Sequence, residues 1–213
     1  KPSELAFQHP DTVHSFIESV KLAMTDRIQF GGDPDYVHAP MNSLLSDDYA
    51  KKQRQRIDPV VPNISPGESF PKNKPLRALV SGLPGEIDGG MTTHFAVADS
   101  HGNVVSVTQT LGGGFGSSVA MGDTGIFLNN MAYWFDLEEG APNQIAPGKR
   151  VDFCVAPVQV HKGGRFLLSL STPGSWGILQ TTPQMLINVL DFGMNVQQAI
   201  DQPRLRVYEN TVV

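Results

Sequence analysis

A change of texture at residue 92 limits what this chain can fold into more than anything else in it. From Asp58 to Met91 the sequence carries Pro62, Pro66, Pro71, Pro75 and Pro84 among repeated glycines and few large apolar residues. Such a segment cannot bury enough surface to offset the entropy of ordering it, and it reads as a mobile or extended arm. At Thr92 the pattern turns to strand. Phe95 and Val97, then Val105 and Val107, alternate with small or polar residues on either side of Ser100-His101-Gly102-Asn103, which predicts a β-hairpin. A core therefore has to be assembled from what flanks the arm.

Upstream, Val13, Phe16, Ile17, Val20, Met24 and Ile28 recur at three- and four-residue spacing, predicting a helix over residues 11–30 capped by Asp11 or Thr12 and ended by Gly31-Gly32-Asp33-Pro34. A second, short helix is expected after Ser46, through Tyr49 to Ile57. Downstream, strands over Val155 to His161 and Phe166 to Ser171 flank the hairpin signal Lys162-Gly163-Gly164. Trp176 to Leu190 reads as a mostly buried helix, and Asn195 to Gln202 as a short one stopped by Pro203. Helices before and after strands imply a layered α+β architecture.

Composition removes several classes of function. The 213 residues are 40% hydrophobic and 17% charged, enough for a full single-domain core, and the net charge is -5. With no run of five basic residues, neither nucleic acid nor an anionic membrane is the expected partner. Lys51-Lys52-Gln53-Arg54-Gln55-Arg56 reads as the solvated face of a short helix. No apolar stretch is long enough for a membrane span. No signal peptide stands at Lys1, which carries little weight where Lys1 is not the natural start, so localisation stays unknown. Cys154 is the single cysteine, so no intrachain disulfide forms, and in Phe153-Cys154-Val155-Ala156 it reads as inert packing in a buried strand. His9, His14, His38, His94, His101 and His161 lack metal-ligand spacing, so neither metal nor cofactor is expected. The run Gly112-Gly113-Gly114-Phe115-Gly116 lacks the Lys-Ser/Thr of a phosphate-binding loop and reads as a tightly turned loop.

The candidate chemistry lies at Thr92. On its own a Thr-Thr pair is ordinary strand sequence. A threonine hydroxyl becomes a useful nucleophile when a base lies within hydrogen-bonding reach, and cleavage before Thr92 would liberate an α-amine of pKa about 8 on the same residue. A loose arm running into an ordered strand is the layout a self-cleaving precursor needs. His94, on the strand beside the cut, reads as a hydrogen-bonded structural residue, because the amine already fills the role of base.

Several separated blocks carry a family resemblance: Gly31-Gly32-Asp33-Pro34-Asp35-Tyr36-Val37 with Leu44-Leu45-Ser46 and Tyr49-Ala50; Thr92-Thr93-His94-Phe95; Gly125-Ile126-Phe127-Leu128-Asn129-Asn130; Pro147-Gly148-Lys149-Arg150; and Ser171-Thr172-Pro173-Gly174-Ser175 followed by Gln184-Met185 and Asn188. Read together, and covering nearly the whole chain, they resemble the γ-glutamyltranspeptidase family of N-terminal-nucleophile hydrolases. The resemblance implies a four-layer αββα sandwich and a cut between Met91 and Thr92. Residues 1–91 would end a large subunit and residues 92–213 would begin a small catalytic one. The product is a heterodimer whose remaining segments lie outside this chain, with higher assembly left open. Family members are periplasmic, secreted or cytoplasmic. The implied reaction is acyl transfer from a small amide through an acyl-Thr92 ester. Thr110 matches a second threonine that orients the nucleophile, and Gly174 and Ser175 fall where the family supplies oxyanion donors from a Gly-Gly pair.

The substrate grips depart from the family pattern. Positions where the family places an Asn, a Gln or Glu, and an Asp hold Gly112, Met131 and Trp134, and its carboxylate-gripping serine pair falls on Phe153 and Cys154. A charged amino-acid head left unpaired is costly to bury, so these positions suit an acyl group without one. Beside a γ-glutamyl enzyme stand two alternatives: an acylase or oxamate-type amidohydrolase, and a non-catalytic relative serving as scaffold.

Overall fold

In the computed structural model, which describes residues 7–61, 92–208 and 211–212, the first helix, α1 (Pro10–Phe30), starts one residue earlier than the apolar spacing implies. Pro10 occupies the first helical position, where its missing N–H costs nothing. His9 is therefore the cap in place of Asp11 or Thr12, its Nδ1 accepting from the Asp11 amide at 3.3 Å. Asp11 sits instead in the first turn, where a carboxylate favours the helix dipole. A single unforeseen turn, α2 (Met41–Leu44), precedes α3 (Asp47–Arg54). Ser46 caps α3 by accepting from the Tyr49 amide at 3.2 Å, a contact worth about 1 kcal/mol. No residue of α3 is buried, as its basic composition implied.

The strands follow. β1 (Thr92–Ala98) and β2 (Val104–Thr110) pair antiparallel, with Thr92 opposite Thr110 and Ala98 opposite Val104. A single 3-10 turn spans Met131–Trp134. β3 (Val158–Lys162) and β4 (Arg165–Leu170) form the second expected hairpin, with an irregularity between Val160 and His161. The buried strand expected at Phe153–Ala156 is absent: residues 151–157 have no regular structure, although Cys154 is buried as expected, at 3% exposure. α4 (Gly177–Leu190) and α5 (Val196–Asp201) match the two predicted helices, and β5 (Val207–Tyr208) pairs with β6 (Thr211–Val212). Asn195 caps α5 through a reciprocal pair with Gln198.

The described residues make two compact units that interleave along the chain. Those of Lys1–Ala78, Phe135–Asp152 and Gln184–Val213 form the first; those of Leu79–Trp134 and Phe153–Pro183 form the second. The first unit is mixed helix and loop. α1 buries Leu22, Met24 and Ile28 together with Glu18, whose charge is matched within the helix by Lys21 at 2.6 Å. Val13 and Phe16, on the apolar face of α1, line a cavity of about 990 Å³ with Leu22, Ile57, Ile187 and Leu205.

An ion-bridged knot closes this unit. The Asp33 side chain is buried, and it accepts from the Arg150 amide at 2.7 Å and from the Arg150 guanidinium at 2.6 Å. The same guanidinium reaches Asp35 at 2.7 Å. Two of the sequence blocks singled out above, 117 positions apart, are thus one structure. Gly32 is required beside it, because a Cβ there would lie 2.5 Å from the Pro142 carbonyl oxygen. Tyr36 donates to the Pro147 carbonyl at 2.8 Å, and Lys149 lies over the Tyr36 ring while donating to the Pro142 carbonyl.

In the second unit the two hairpins are tied by side chains. Ser169 Oγ donates to Ser106 Oγ at 2.8 Å, and Gln159 Nε2 donates to the Val104 carbonyl at 3.1 Å. Trp134 and Trp176 are both buried, their rings 5.2 Å apart and tilted by 36°, a pairing worth about 1 kcal/mol beyond the area it buries. Ile178, at 1% exposure, anchors the first turn of α4, and burying such a side chain contributes about 2 kcal/mol. The other side of the first hairpin is bare, with Phe95, Val97 and Val105 46%, 60% and 56% exposed.

Hydrogen bonds from the Arg150 amide, the Asp35 amide and the guanidinium hold the Asp33 carboxyl below its ordinary pKa, against the opposing pull of burial. A lowered carboxylate pKa stabilises the fold above the unfolded value of about 3.9, and that contribution disappears as pH falls through the folded value. Thermal melts of wild type and Asp33→Asn should differ most at neutral pH and converge as pH falls below about 4. A gap independent of pH would show that the carboxylate charge is not what holds the knot.

Candidate active site

Thr92 opens β1 and Thr110 closes β2, so antiparallel pairing sets one directly across from the other at the same end of the hairpin. Their side chains meet: Thr92 Oγ1 donates to Thr110 Oγ1 at 3.0 Å, both residues partly buried. Two residues along, His94 Nδ1 lies 3.1 Å from Thr108 Oγ1, a cross-strand pair on the same face. His94 is thus the hydrogen-bonded residue expected from its place on the strand.

Thr110 Oγ1 accepts a second hydrogen bond, from the Gly112 amide at 3.0 Å. A hydroxyl oxygen has two lone pairs, so the Thr92 hydroxyl and the Gly112 amide together occupy both. The glycine run does form tight turns, with positive φ at Gly112, Phe115 and Gly116. At Gly112, with φ +87°, a Cβ would fall 2.0 Å from Asn130 Oδ1 and 3.0 Å from Met131 Sδ, so backbone angle and space both demand glycine. The Gly113 amide donates to Asn130 Oδ1 at 3.0 Å, and the Asn130 amide donates back to the Leu111 carbonyl at 3.0 Å. Asn130 escaped the reading of site residues, although it stands in the Asn129-Asn130 pair of one of the resembling blocks.

The remaining candidate residues fall in two groups. Met131 and Trp134 occupy the 3-10 turn after Asn130, 5% and 8% exposed, and Met131 lies against Gly112. Cys154 is buried and Phe153 half-buried in the irregular segment before β3. Gly174 and Ser175 form the turn into α4, with φ +128° and +54°. Their carbonyls accept from the Gly177 and Ile178 amides at 2.9 and 3.0 Å. The positive φ of Ser175 is one a side chain adopts with strain and glycine adopts freely. Met91 lies outside the described residues, as does nearly all of the arm over residues 58–91. Among the described residues no group of three or more His, Cys, Asp or Glu could hold a metal ion, and no helix is long and apolar enough to cross a membrane.

A pair of bonded hydroxyls at a strand terminus is chemically competent for nucleophilic attack once a base is supplied. The family model for gamma-glutamyltranspeptidase matches residues 2–212. A glutathione hydrolase proenzyme of Pseudomonas sp. (strain A14) is 36% identical over 211 residues, covering 94% of this chain and 35% of that protein. The acylase ACY 1 proenzyme of Pseudomonas sp. (strain SE83) is also 36% identical, over 201 residues, covering 94% of this chain and 33% of that protein. Among solved structures, a cephalosporin acylase from Bacillus halodurans superposes with a TM-score of 0.73 at 28% identity, over 95% of this chain and 34% of that one. A gamma-glutamyltranspeptidase from Pseudomonas nitroreducens gives a TM-score of 0.51 at 35% identity, over 55% of this chain and 65% of that one. The chain thus spans about a third of the length of the curated relatives it matches. From the match along almost all of its residues, this chain belongs to the gamma-glutamyltranspeptidase family.

Proposed function

We propose that this chain is the central part of a self-processing amide hydrolase in which Thr92, released by cleavage after Met91, is the nucleophile. The hydrogen bond between Thr92 Oγ1 and Thr110 Oγ1 is the observation that carries this reading. The cut frees an α-amine next to the hydroxyl. As Thr92 Oγ attacks the amide carbonyl carbon, its proton passes to that amine and then to the departing amine of the substrate, leaving an acyl-threonine ester. Water, or an acceptor amine, releases the acyl group in the second step. Backbone amides at Gly174 and Ser175, in the turn entering α4, are the proposed donors for the oxyanion.

Residues 1–91 and 92–213 then belong to a large and a small subunit of one processed heterodimer. That division is made by cleavage and not by packing, since the described residues of the first compact unit come from both sides of residue 92. The four-layer αββα sandwich is the architecture we propose for the complete enzyme, and the bare face of Phe95, Val97 and Val105 is where a further layer would pack. The relatives are proenzymes that extend well beyond the region matched here, which supports the same reading.

For the substrate, the buried apolar character of Met131, Trp134 and Cys154 favours a small acyl amide without a charged amino-acid head. The two relatives at equal identity include both a glutathione hydrolase and an acylase, so the side chains at these positions are what tip the reading.

Two measurements on the full-length protein test these statements. Mass spectrometry of the mature enzyme should find a fragment beginning Thr-Thr-His, and Thr92→Ala should stay uncut and lose at least about 10³-fold in hydrolysis. A single uncut chain that still consumes amides would overturn the mechanism, and an uncut chain without activity would favour a scaffold. In side-by-side assays, simple acyl amides should be turned over faster than γ-glutamyl anilides. The reverse order would show that residues outside this chain supply the missing polar grips.

A further inference from the structure

Asn130 holds the turn next to the nucleophile at two points. Its amide donates to the Leu111 carbonyl at 3.0 Å, and its side-chain oxygen accepts from the Gly113 amide at 3.0 Å. Gly112, caught between them at φ +87°, has its own amide directed to Thr110 Oγ1 at 3.0 Å. Thr110 Oγ1 in turn accepts from Thr92 Oγ1 at 3.0 Å. A short chain of hydrogen bonds thus runs from a side chain that touches neither threonine to the hydroxyl that would attack.

The Gly112 amide has a specific chemical consequence. It fills one of the two acceptor positions of Thr110 and restricts how that hydroxyl can rotate. With a single position left, Thr110 accepts from Thr92 while Thr92 keeps its proton. Once the α-amine has taken that proton, the Thr110 hydrogen can turn to donate to the Thr92 oxygen. If the Gly112 amide swung away, Thr110 could settle in orientations that serve neither state. The turn keeps the amide aimed only while its Gly113 end is held, and the Asn130 carbonyl oxygen is what holds it.

Resting on the assignment of Thr92 as nucleophile, we propose that Asn130 is a positioning residue that sets the reactivity of Thr92 through the Gly112 amide and Thr110. It contacts no reacting atom, so its loss acts on kcat and leaves KM alone.

The test uses the mature full-length enzyme and a simple acyl amide. Asn130→Leu, which removes the acceptor at similar volume, should lower kcat by about 10-fold or more with KM within about 2-fold, the expected cost of one lost orienting hydrogen bond. Asn130→Asp keeps the acceptor oxygen and should recover most of that loss. In a Thr110→Ala background, Asn130→Leu should add less than about 2-fold, because two residues acting in one chain are not additive. If Asn130→Leu fails to fold, Gly113→Pro removes the same hydrogen bond from the donor side and should show the same kcat loss, with circular dichroism checking the fold.

A kcat for Asn130→Leu within about 2-fold of wild type, an effect confined to KM, equal impairment of Asn130→Asp, or full additivity with Thr110→Ala would each overturn the proposal. Thr92→Ala run in parallel separates the two readings. If it is active, the nucleophile assignment falls; if it is inactive while Asn130→Leu keeps a kcat within about 2-fold of wild type, only the role of Asn130 falls.

Discussion

The register of the β1–β2 hairpin is the constraint on which the rest of the candidate site depends. Side chains alternate faces along a strand, so a slip of one residue would turn every side chain of one partner to the other face. Thr92 meets Thr110 because Ala98 meets Val104 at the far end, where the turn is tightly held. Asp99 Oδ1 accepts from the His101 and Asn103 amides, each at 2.9 Å, and Asp99 Oδ2 accepts from Asn103 Nδ2 at 2.7 Å. These bonds, the Asn103 side chain foremost, hold the Asp99 carboxyl below its ordinary pKa. A five-residue turn thereby fixes the contact of two hydroxyls at the other end of the hairpin.

Around that contact, backbone amides do work that side chains do elsewhere. Thr110 is held by a glycine amide, the glycine turn by Asn130, and the proposed oxyanion donors are amides of a turn with positive φ. Amides fixed in this way need little reorganisation when charge develops, which is the condition under which they stabilise a transition state best. The positions that the family resemblance links to substrate grip have gone the other way. Met131 and Trp134 are packed inward, with Trp134 against Trp176.

Much of the fold was legible beforehand. The two hairpins and the longer helices follow from periodicity, because each buries a face set by local spacing. Departures from that reading arise from contacts both local and remote. Phe153–Ala156 looked like a strand, but among the described residues it pairs in no sheet, and Cys154 is buried in an irregular segment. Val13 and Phe16 have the spacing of a core face yet border a cavity, while Glu18 is buried because Lys21 matches its charge. The start of α1 moved because a proline at its first position made His9 the cap.

From the linear order of residues came the hairpin beginning at Thr92, because strand alternation is a local property, and, through the resemblance of its separated blocks, the family and the pairing of Thr92 with Thr110 as candidate chemistry. The chain order could not show that Asp33 and Arg150 form one knot, or that Asn130 stands behind Gly112 and Thr110. Hydrogen bonds of that kind depend on atoms brought within about 3 Å by the fold, a distance that no spacing along the chain encodes.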